Sequence, residues 1–296
     1  MPVLAAYLCI ILIWSTTPLA IKWSADGPGF LFGVSSRMVL GAVFCLLVIR
    51  VLRQPLPWHR QARYIYLLAG LAFYGAMMAV YWGAQFIPSG LISVIFGLTP
   101  LVTGLLAAFF LRQERFGFSQ LTGVAFGLCG LAVIFSSQLT FGGQARLGIL
   151  AVLLSVVLHS LSTVSIKSMA RDLSPLMITT GGLLVAAPLY LLTLGMSGSP
   201  LPLSIPARAG MAIVYLALFG SVIGFILYYY TLKNLDAGQV ALITLITPVL
   251  ALFIGHVFNH EAINFNIIGG AALVLAGLVS YQWPLIMKSY QRRHLC

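Results

Sequence analysis

Ten continuous apolar stretches, most of them about 20 residues long, set the main limit on how this chain can fold. An α-helix of that length crosses the hydrocarbon core of a bilayer and satisfies its own backbone hydrogen bonds there. The stretches are separated by charged residues or by clusters of proline, glycine and asparagine. They lie at about residues 3–22, 30–49, 65–86, 89–111, 118–136, 147–167, 176–195, 209–231, 238–258 and 266–286.

The composition agrees with a membrane protein. Hydrophobic residues make up 60% of the 296 residues and charged residues only 7%, whereas soluble domains carry about 25% charge. Ten spans joined by short connections leave no room for a soluble catalytic domain. We therefore expect an all-α polytopic membrane protein with ten transmembrane helices.

The distribution of lysine and arginine predicts the orientation, because short cytoplasmic loops are enriched in both. With the N-terminus in the cytoplasm, twelve of the sixteen basic residues lie on the cytoplasmic side. Only Lys22, Arg146 and Arg208 then lie outside, and Arg37 lies within a span. This predicts a multi-pass protein of the bacterial inner cell membrane with both termini cytoplasmic. The net charge of +11 is attributed to lipid headgroups and not to nucleic acid, since the basic residues are spread over several loops.

The two halves of the sequence repeat each other. Thr99 and Pro100 in the fourth span match Thr247 and Pro248 in the ninth, and each proline comes ten residues after a glycine. Further matches are Lys22 with Lys167, Ser15 with Ser160, Glu114 with Glu261, and Tyr81 with Tyr229. We place the first repeat at residues 1–140 and the second at 141–296. Since each holds five spans, an odd number, the second is expected to be inverted relative to the first, as in secondary transporters.

These residues resemble the drug/metabolite transporter superfamily, in its ten-helix EamA-like branch, over essentially the whole chain. The pattern of that family has an aromatic residue, small polar residues and a lysine in the first helix, here Trp14, Ser15 and Lys22. Gln113 and His260 depart from it, since glycine commonly precedes the glutamate at these positions. The resemblance implies transport of small metabolites, often efflux of amino acids or related amphipathic compounds, without naming a substrate.

Arg37 is the most unusual residue within a span, roughly 10 Å from its outer end. An exposed guanidinium at such a depth costs on the order of 2.5 to 3.5 kcal/mol and calls for water, an anion or a partner. We predict that Arg37 faces a central cavity and attracts a carboxylate of the substrate. The alternative is that its long side chain reaches the outer interface.

Other candidate substrate-binding residues lie near the middle of spans or recur in both halves. They are Trp14, Ser15, Tyr81, His159, Ser162 and Tyr229. For His159 the alternative is a hydrogen-bonded core residue. Thr99, Pro100, Thr247 and Pro248 are predicted to form a hinge beside the cavity, because each proline frees the carbonyl four residues earlier. A packing kink is the alternative for each proline.

No aspartate or glutamate lies inside a span, so the usual proton-relay carboxylate is missing and facilitated diffusion is as plausible as proton coupling. No cofactor or metal site is expected: His256 and His260 lack the order of a zinc protease and an evident third ligand. We expect no enzyme, because the spans lack nucleophile and base motifs, although an intramembrane enzyme or a sensor subunit stays as the alternative to a transporter.

Glycine rows around Gly123 and Gly270 predict close helix contacts, either within one chain or in a homodimer.

Overall fold

A computed structural model shows helices throughout the part of the chain that it describes, which is residues 3–111, 117–137, 143–169, 173–198, 201–235 and 237–294. The helices are α1 Val3–Ala25, α2 Phe30–Val51, α3 Arg60–Gly83, α4 Ser89–Phe96, α5 Thr99–Leu111, α6 Phe118–Ser137, α7 Gly143–Met169, α8 Pro175–Met196, α9 Ala207–Tyr215, a π-helical segment Leu216–Ile223, α10 Gly224–Asn234, α11 Ala237–Asn259 and α12 Phe265–His294. Within these ranges nine helical runs are long and apolar enough to cross a membrane, and α11 adds the shorter run Ile243–Asn259. The prediction of an all-α polytopic membrane protein is confirmed.

The fourth span is broken into α4 and α5. The break falls at Gly97 and Leu98, just before Pro100, which is the second residue of α5. Proline disfavours a helical conformation in the residue before it but is well tolerated in the first turn of a helix. Pro100 therefore begins a new helix here, whereas Pro248 lies inside the continuous helix α11.

The eighth span contains the π-helical segment, between α9 and α10. Its wider turn is seen at Ser221, whose hydroxyl donates to the carbonyl of Leu216, five residues earlier, at 3.1 Å. π-Helical turns are rare and are often found at functional sites. The segment packs against α1 and α2 of the first half, so the irregular backbone is covered by protein.

Glycines hold α6 and α12 together and show their relative direction. A methyl group placed on Gly123 would lie 2.7 Å from the Gly277 carbonyl oxygen, and one on Gly130 would lie 2.6 Å from that of Gly270. Since the residue number rises along α6 as it falls along α12, the two helices are antiparallel. The glycine contacts therefore lie within one chain, which resolves this alternative for these residues.

Helices α4 and α11 are a further equivalent pair in contact, and they are also antiparallel. A methyl group on Gly90 would lie 2.6 Å from Leu252 Cα, and one on Gly97 would lie 3.7 Å from Pro248 Cγ. Equivalent helices of two repeats run in opposite directions when the repeats are inverted. The directions of these two helix pairs are those that inverted repeats require.

The two halves also interlock through their other helices. Helix α3 packs against α7 and α8, α2 against α8, and α1 against α10 and α11. The main core cluster draws on both halves and includes Tyr81 of α3 and Tyr190 of α8. The Tyr190 hydroxyl donates to the carbonyl of Tyr74 at 2.7 Å, which fixes α8 on α3.

Substitutions in neighbouring glycines of α12 test the close contact with α6. Gly270→Leu is expected to lower the melting temperature by about 5 °C or more, because the leucine must displace the α6 backbone. Gly269→Leu is the matched control, since a methyl group there would meet nothing within 4 Å. Thermal unfolding of the detergent-solubilised protein measures both. Equal melting temperatures for the two variants would contradict the tight packing of α6 on α12.

Candidate functional site

Arg37 lies on α2 and is only 6% exposed, so its side chain does not reach the surface of the bundle. Its Nε and Nη1 atoms are buried and have no hydrogen-bond partner among the described residues. A guanidinium carries five N–H donors and a permanent charge, and burying it without a partner is costly. The buried guanidinium of Arg37 therefore keeps N–H donors that no described residue uses.

The π-helical segment and α1 surround the guanidinium of Arg37. A methyl group on Gly220 would lie 3.3 Å from Arg37 Nη2 and 3.9 Å from Thr17 Oγ1. One turn further along α2, Gly41 faces Ser221, with its missing methyl group 3.7 Å from the Ser221 hydroxyl oxygen. The glycines let α2 approach the π-helical segment closely, and so place Arg37 at the contact between the two halves.

Aromatic rings flank this contact on α1 and α10. The ring centroids of Trp14 and Tyr228 are 5.1 Å apart. A methyl group on Gly224, which directly follows the π-helical segment, would lie 3.5 Å from Trp14 Nε1. Trp14 is half-buried. These rings offer an apolar surface on the same two elements, α1 and the eighth span, that surround Arg37.

The other residues predicted in the first half lie elsewhere. The Ser15 hydroxyl is buried and donates to the carbonyl of Ile11 at 2.6 Å, so its hydrogen bond is made within α1 itself. Tyr81 is fully buried in the main core cluster, and its hydroxyl accepts a hydrogen bond from Ser24 at 3.5 Å. Both side chains are buried, and each makes its hydrogen bond within the protein.

The predicted substrate-binding residues of the second half lie on α7 and α10. His159 and Ser162 are half-buried on α7, next to Ser160, which accepts a hydrogen bond from Thr103 of α5 at 2.9 Å. Among the described residues, the imidazole of His159 has no hydrogen-bond partner. Tyr229 lies on α10, but its side chain is outside the described part.

The predicted hinge residues meet where the fourth and ninth spans cross. Pro248 lies against Gly97, at the break between α4 and α5. The hydroxyl of Thr99, the first residue of α5, is buried without a partner among the described residues. Thr247, next to Pro248, is 7% exposed. The two proline regions thus touch each other at the crossing.

At the end of the bundle that carries Lys22, a glutamate from the second half closes on two helices of the first. Glu261 Oε2 accepts hydrogen bonds from the backbone N–H and the hydroxyl of Ser89, at 2.7 and 2.9 Å. Its other oxygen lies 3.5 Å from Lys22 Nζ and accepts from Asn259 Nδ2 at 2.9 Å. We call Lys22, Ser89, Asn259 and Glu261 the charge clasp. Their sequence counterparts Glu114 and Lys167 have side chains outside the described part.

The charge clasp keeps Glu261 ionised. Burial by itself would raise the pKa of this carboxyl, but the backbone N–H of Ser89, the Lys22 ammonium and the Asn259 amide outweigh it and lower the pKa below its ordinary 4.5. The side chain is 8% exposed. A cavity of about 430 Å³ adjoins the clasp and is lined in part by Lys22, Gln85, Gln144, Glu261 and Asn264.

Comparison with known proteins gives the family. The model of the EamA-like transporter family matches residues 1–136 and again residues 146–281. The chain belongs to this family. The resemblance predicted from the sequence is thereby confirmed, and the family and the names of its members indicate a transporter rather than an enzyme.

Individual relatives are similar over nearly their whole length. The "Uncharacterized transporter YoaV" of Bacillus subtilis (strain 168) is 27% identical over 282 residues, which cover 93% of this chain and 95% of that protein. A "Probable terminal-alkyne amino-acid exporter" of Streptantibioticus cattleyicolor is 26% identical and covers 93% and 91%. A solved structure described as "Crystal structure of protein" has a TM-score of 0.66 at 22% identity, covers 96% and 98%, and shows the same fold.

Sequence reasoning does not identify the neighbours of Arg37. Neither the position of Thr17 nor the π-helical segment is predicted from the sequence. A usable signal is the pair Gly220 and Gly224, since small residues four apart let helices approach closely. The capping of α4 by Glu261 was also missed, because the two are 172 residues apart in sequence.

Acid is expected to weaken the charge clasp. Because the pKa of Glu261 is lowered, its contribution to stability is complete above the ordinary pKa and is lost as the pH falls through the lowered value. We expect the melting temperature of the native protein to fall more than that of Glu261→Gln between about pH 5.5 and about pH 3.5. Asp26→Asn, which removes an exposed carboxylate, serves as the control. Parallel curves for the native protein and Glu261→Gln would show that the clasp does not stabilise the fold.

Proposed function

We propose that this EamA-like chain is a secondary transporter that exports small amphipathic metabolites, amino acids or related compounds, by alternating access between its two halves. The observation that carries the proposal is Arg37, a buried guanidinium with two unpartnered nitrogens at the contact between the halves. Burying this positive charge is costly unless a ligand balances it and accepts its hydrogen bonds. Transporters with inverted repeats bind their cargo near the midplane, where the two repeats meet.

The charge clasp supplies a way to close one side of such a site. It joins the end of α1 and the start of α4, in the first half, to the end of α11, in the second half. Inverted halves that rock against each other open the two sides in turn, and the clasp must part when the Lys22 side opens. In the bacterial inner membrane, with both termini cytoplasmic, that side is the exterior.

A relative and two aromatic side chains support the direction of transport and the class of cargo. One relative is named a probable terminal-alkyne amino-acid exporter at 26% identity, which favours efflux of amino acids or related amphipathic compounds. Trp14 and Tyr228 offer an aromatic surface that fits the apolar part of such a molecule. Arg37 fits its carboxylate, as a bidentate partner.

Replacing Arg37 tests the binding role. Arg37→Gln is expected to lower the transport rate about tenfold or more, because a charge-assisted hydrogen bond to the cargo is lost. Efflux from proteoliposomes filled with candidate metabolites is the measurement. Arg208→Gln is the control, since Arg208 is exposed and pairs with Asp26 at the surface. Unchanged kinetics in Arg37→Gln would exclude Arg37 from the site.

Replacing Glu261 tests the closing role. With the native cysteines replaced by serine, a Thr17→Cys reporter beside Arg37 is expected to react slowly with a membrane-impermeant maleimide applied from the Lys22 side. Adding Glu261→Gln should speed this labelling severalfold, because the clasp loses its charge while the side chain keeps its size. Asp26→Asn, which breaks the exposed ion pair at the same end, should leave it unchanged. If the two substitutions have equal effects, the clasp is not the closure.

A further inference from the structure

Arg37 is the buried cation among the described residues of the spans, and the sequence places no acidic side chain inside a span to balance it. All five acidic residues of the chain, Asp26, Glu114, Asp172, Asp236 and Glu261, lie between spans or at their ends in the sequence. Two of them have partners in the described part: Asp26 pairs with Arg208, and Glu261 with Lys22. Neither partner is Arg37. The interior of the bundle therefore carries the net positive charge of Arg37.

The charge of the cargo decides whether that imbalance is removed. A molecule with a single negative charge neutralises Arg37 when it binds. A zwitterion places a carboxylate on Arg37 but brings its own ammonium into the same apolar surroundings, so the complex keeps a net positive charge. Net charge in the hydrocarbon region is strongly disfavoured, and an ion pair that leaves a second charge unpaired does not remove the cost.

The surroundings of Arg37 offer an ammonium group little. The neighbouring groups include the Thr17 hydroxyl and the glycine backbone of the π-helical segment, and Arg37 also interacts electrostatically with Tyr190 of α8. The rings of Trp14 and Tyr228 lie one turn further along the eighth span, beside Gly224. The Thr17 hydroxyl already donates to the carbonyl of Ile13 at 2.7 Å. Aromatic faces attract cations but do not neutralise them. The same rings are well suited to an uncharged apolar group.

We propose that the species this protein carries is an organic monoanion, a carboxylate with an apolar or aromatic body and no balancing ammonium, such as an N-acylated amino acid. This rests on the proposed function, and it narrows the cargo from amino acids and related compounds to the anionic members of that group. The carboxylate lies on Arg37, and the apolar body lies against Trp14 and Tyr228.

A driving force follows from the charge. The site stays in the protein while the two sides open in turn, so each cycle moves the single negative charge of the cargo. A membrane potential that is negative inside favours outward movement of a monovalent anion about 50-fold per 100 mV. Export then proceeds without a coupled proton, in agreement with spans that contain no carboxylate for a proton relay.

Two probes with the same side chain separate the alternatives. Proteoliposomes are loaded with N-acetyl-L-phenylalanine, a monoanion, or with L-phenylalanine, a zwitterion, at about pH 8. A potassium gradient with valinomycin sets the potential. We expect protein-dependent efflux of the acetylated probe to be at least about tenfold faster, to speed up when the interior is negative and to slow down when it is positive. The corresponding leucine and tryptophan pairs are measured in the same way, and protein-free liposomes give the leak.

Variants of Arg37 tie the charge preference to this residue. Arg37→Gln should remove the preference for the acetylated probe, whereas Arg37→Lys, which keeps the charge, should retain it. Efflux of the free amino acids that exceeds that of the acetylated ones and does not respond to the potential would overturn this inference and leave the proposed transporter standing. Absence of protein-dependent flux for every pair would overturn both.

Discussion

Every backbone N–H and C=O group that this chain places in the hydrocarbon region must find its hydrogen-bond partner inside the protein. Regular helices meet that demand by themselves, which is why almost the whole described chain is helical. The exceptions are informative. The break at Gly97 and Leu98 and the π-helical segment at Leu216–Ile223 both lie where the two halves contact each other. Irregular backbone is tolerated there because another helix covers it.

Much of the fold could be predicted from the sequence, because it follows from properties that are local or periodic. The apolar stretches give the spans, and their odd number per repeat gives the inversion. The close contact of α6 with α12 follows from glycines such as Gly123 and Gly270. The placement of Lys22 and Glu261 at one end is also consistent with their contact. What the repeat could not give is which helices of the two halves cross, since that depends on shape over long sequence separations.

The candidate site was predicted less completely than the fold. Arg37 stands out in any sequence of this kind, and the structure adds that it is buried and unpartnered. Its neighbours come from α1 and the π-helical segment, about 20 and 180 residues away in the chain, and only the glycines hint at them. The repeat is also asymmetric here. Gly182, which corresponds to Arg37, packs against Ala69 and Phe73 of α3 at 3.0 and 2.9 Å from its missing methyl group, and has no space for a long side chain. One half thus supplies the charge and the other supplies close packing.

The contact between Glu261 and Ser89 responds weakly to the salt concentration around the protein. It consists of short hydrogen bonds to a backbone N–H and a hydroxyl, and the carboxylate is nearly out of contact with solvent. Mobile ions screen exposed charge pairs strongly but reach buried ones poorly. The Arg208–Asp26 pair at the same surface is open to such screening, whereas the Glu261 contact is not. The contact between Glu261 and Ser89 would therefore persist over a wide range of ionic strength, as a cell meets changing osmolarity, whereas the exposed pair would weaken.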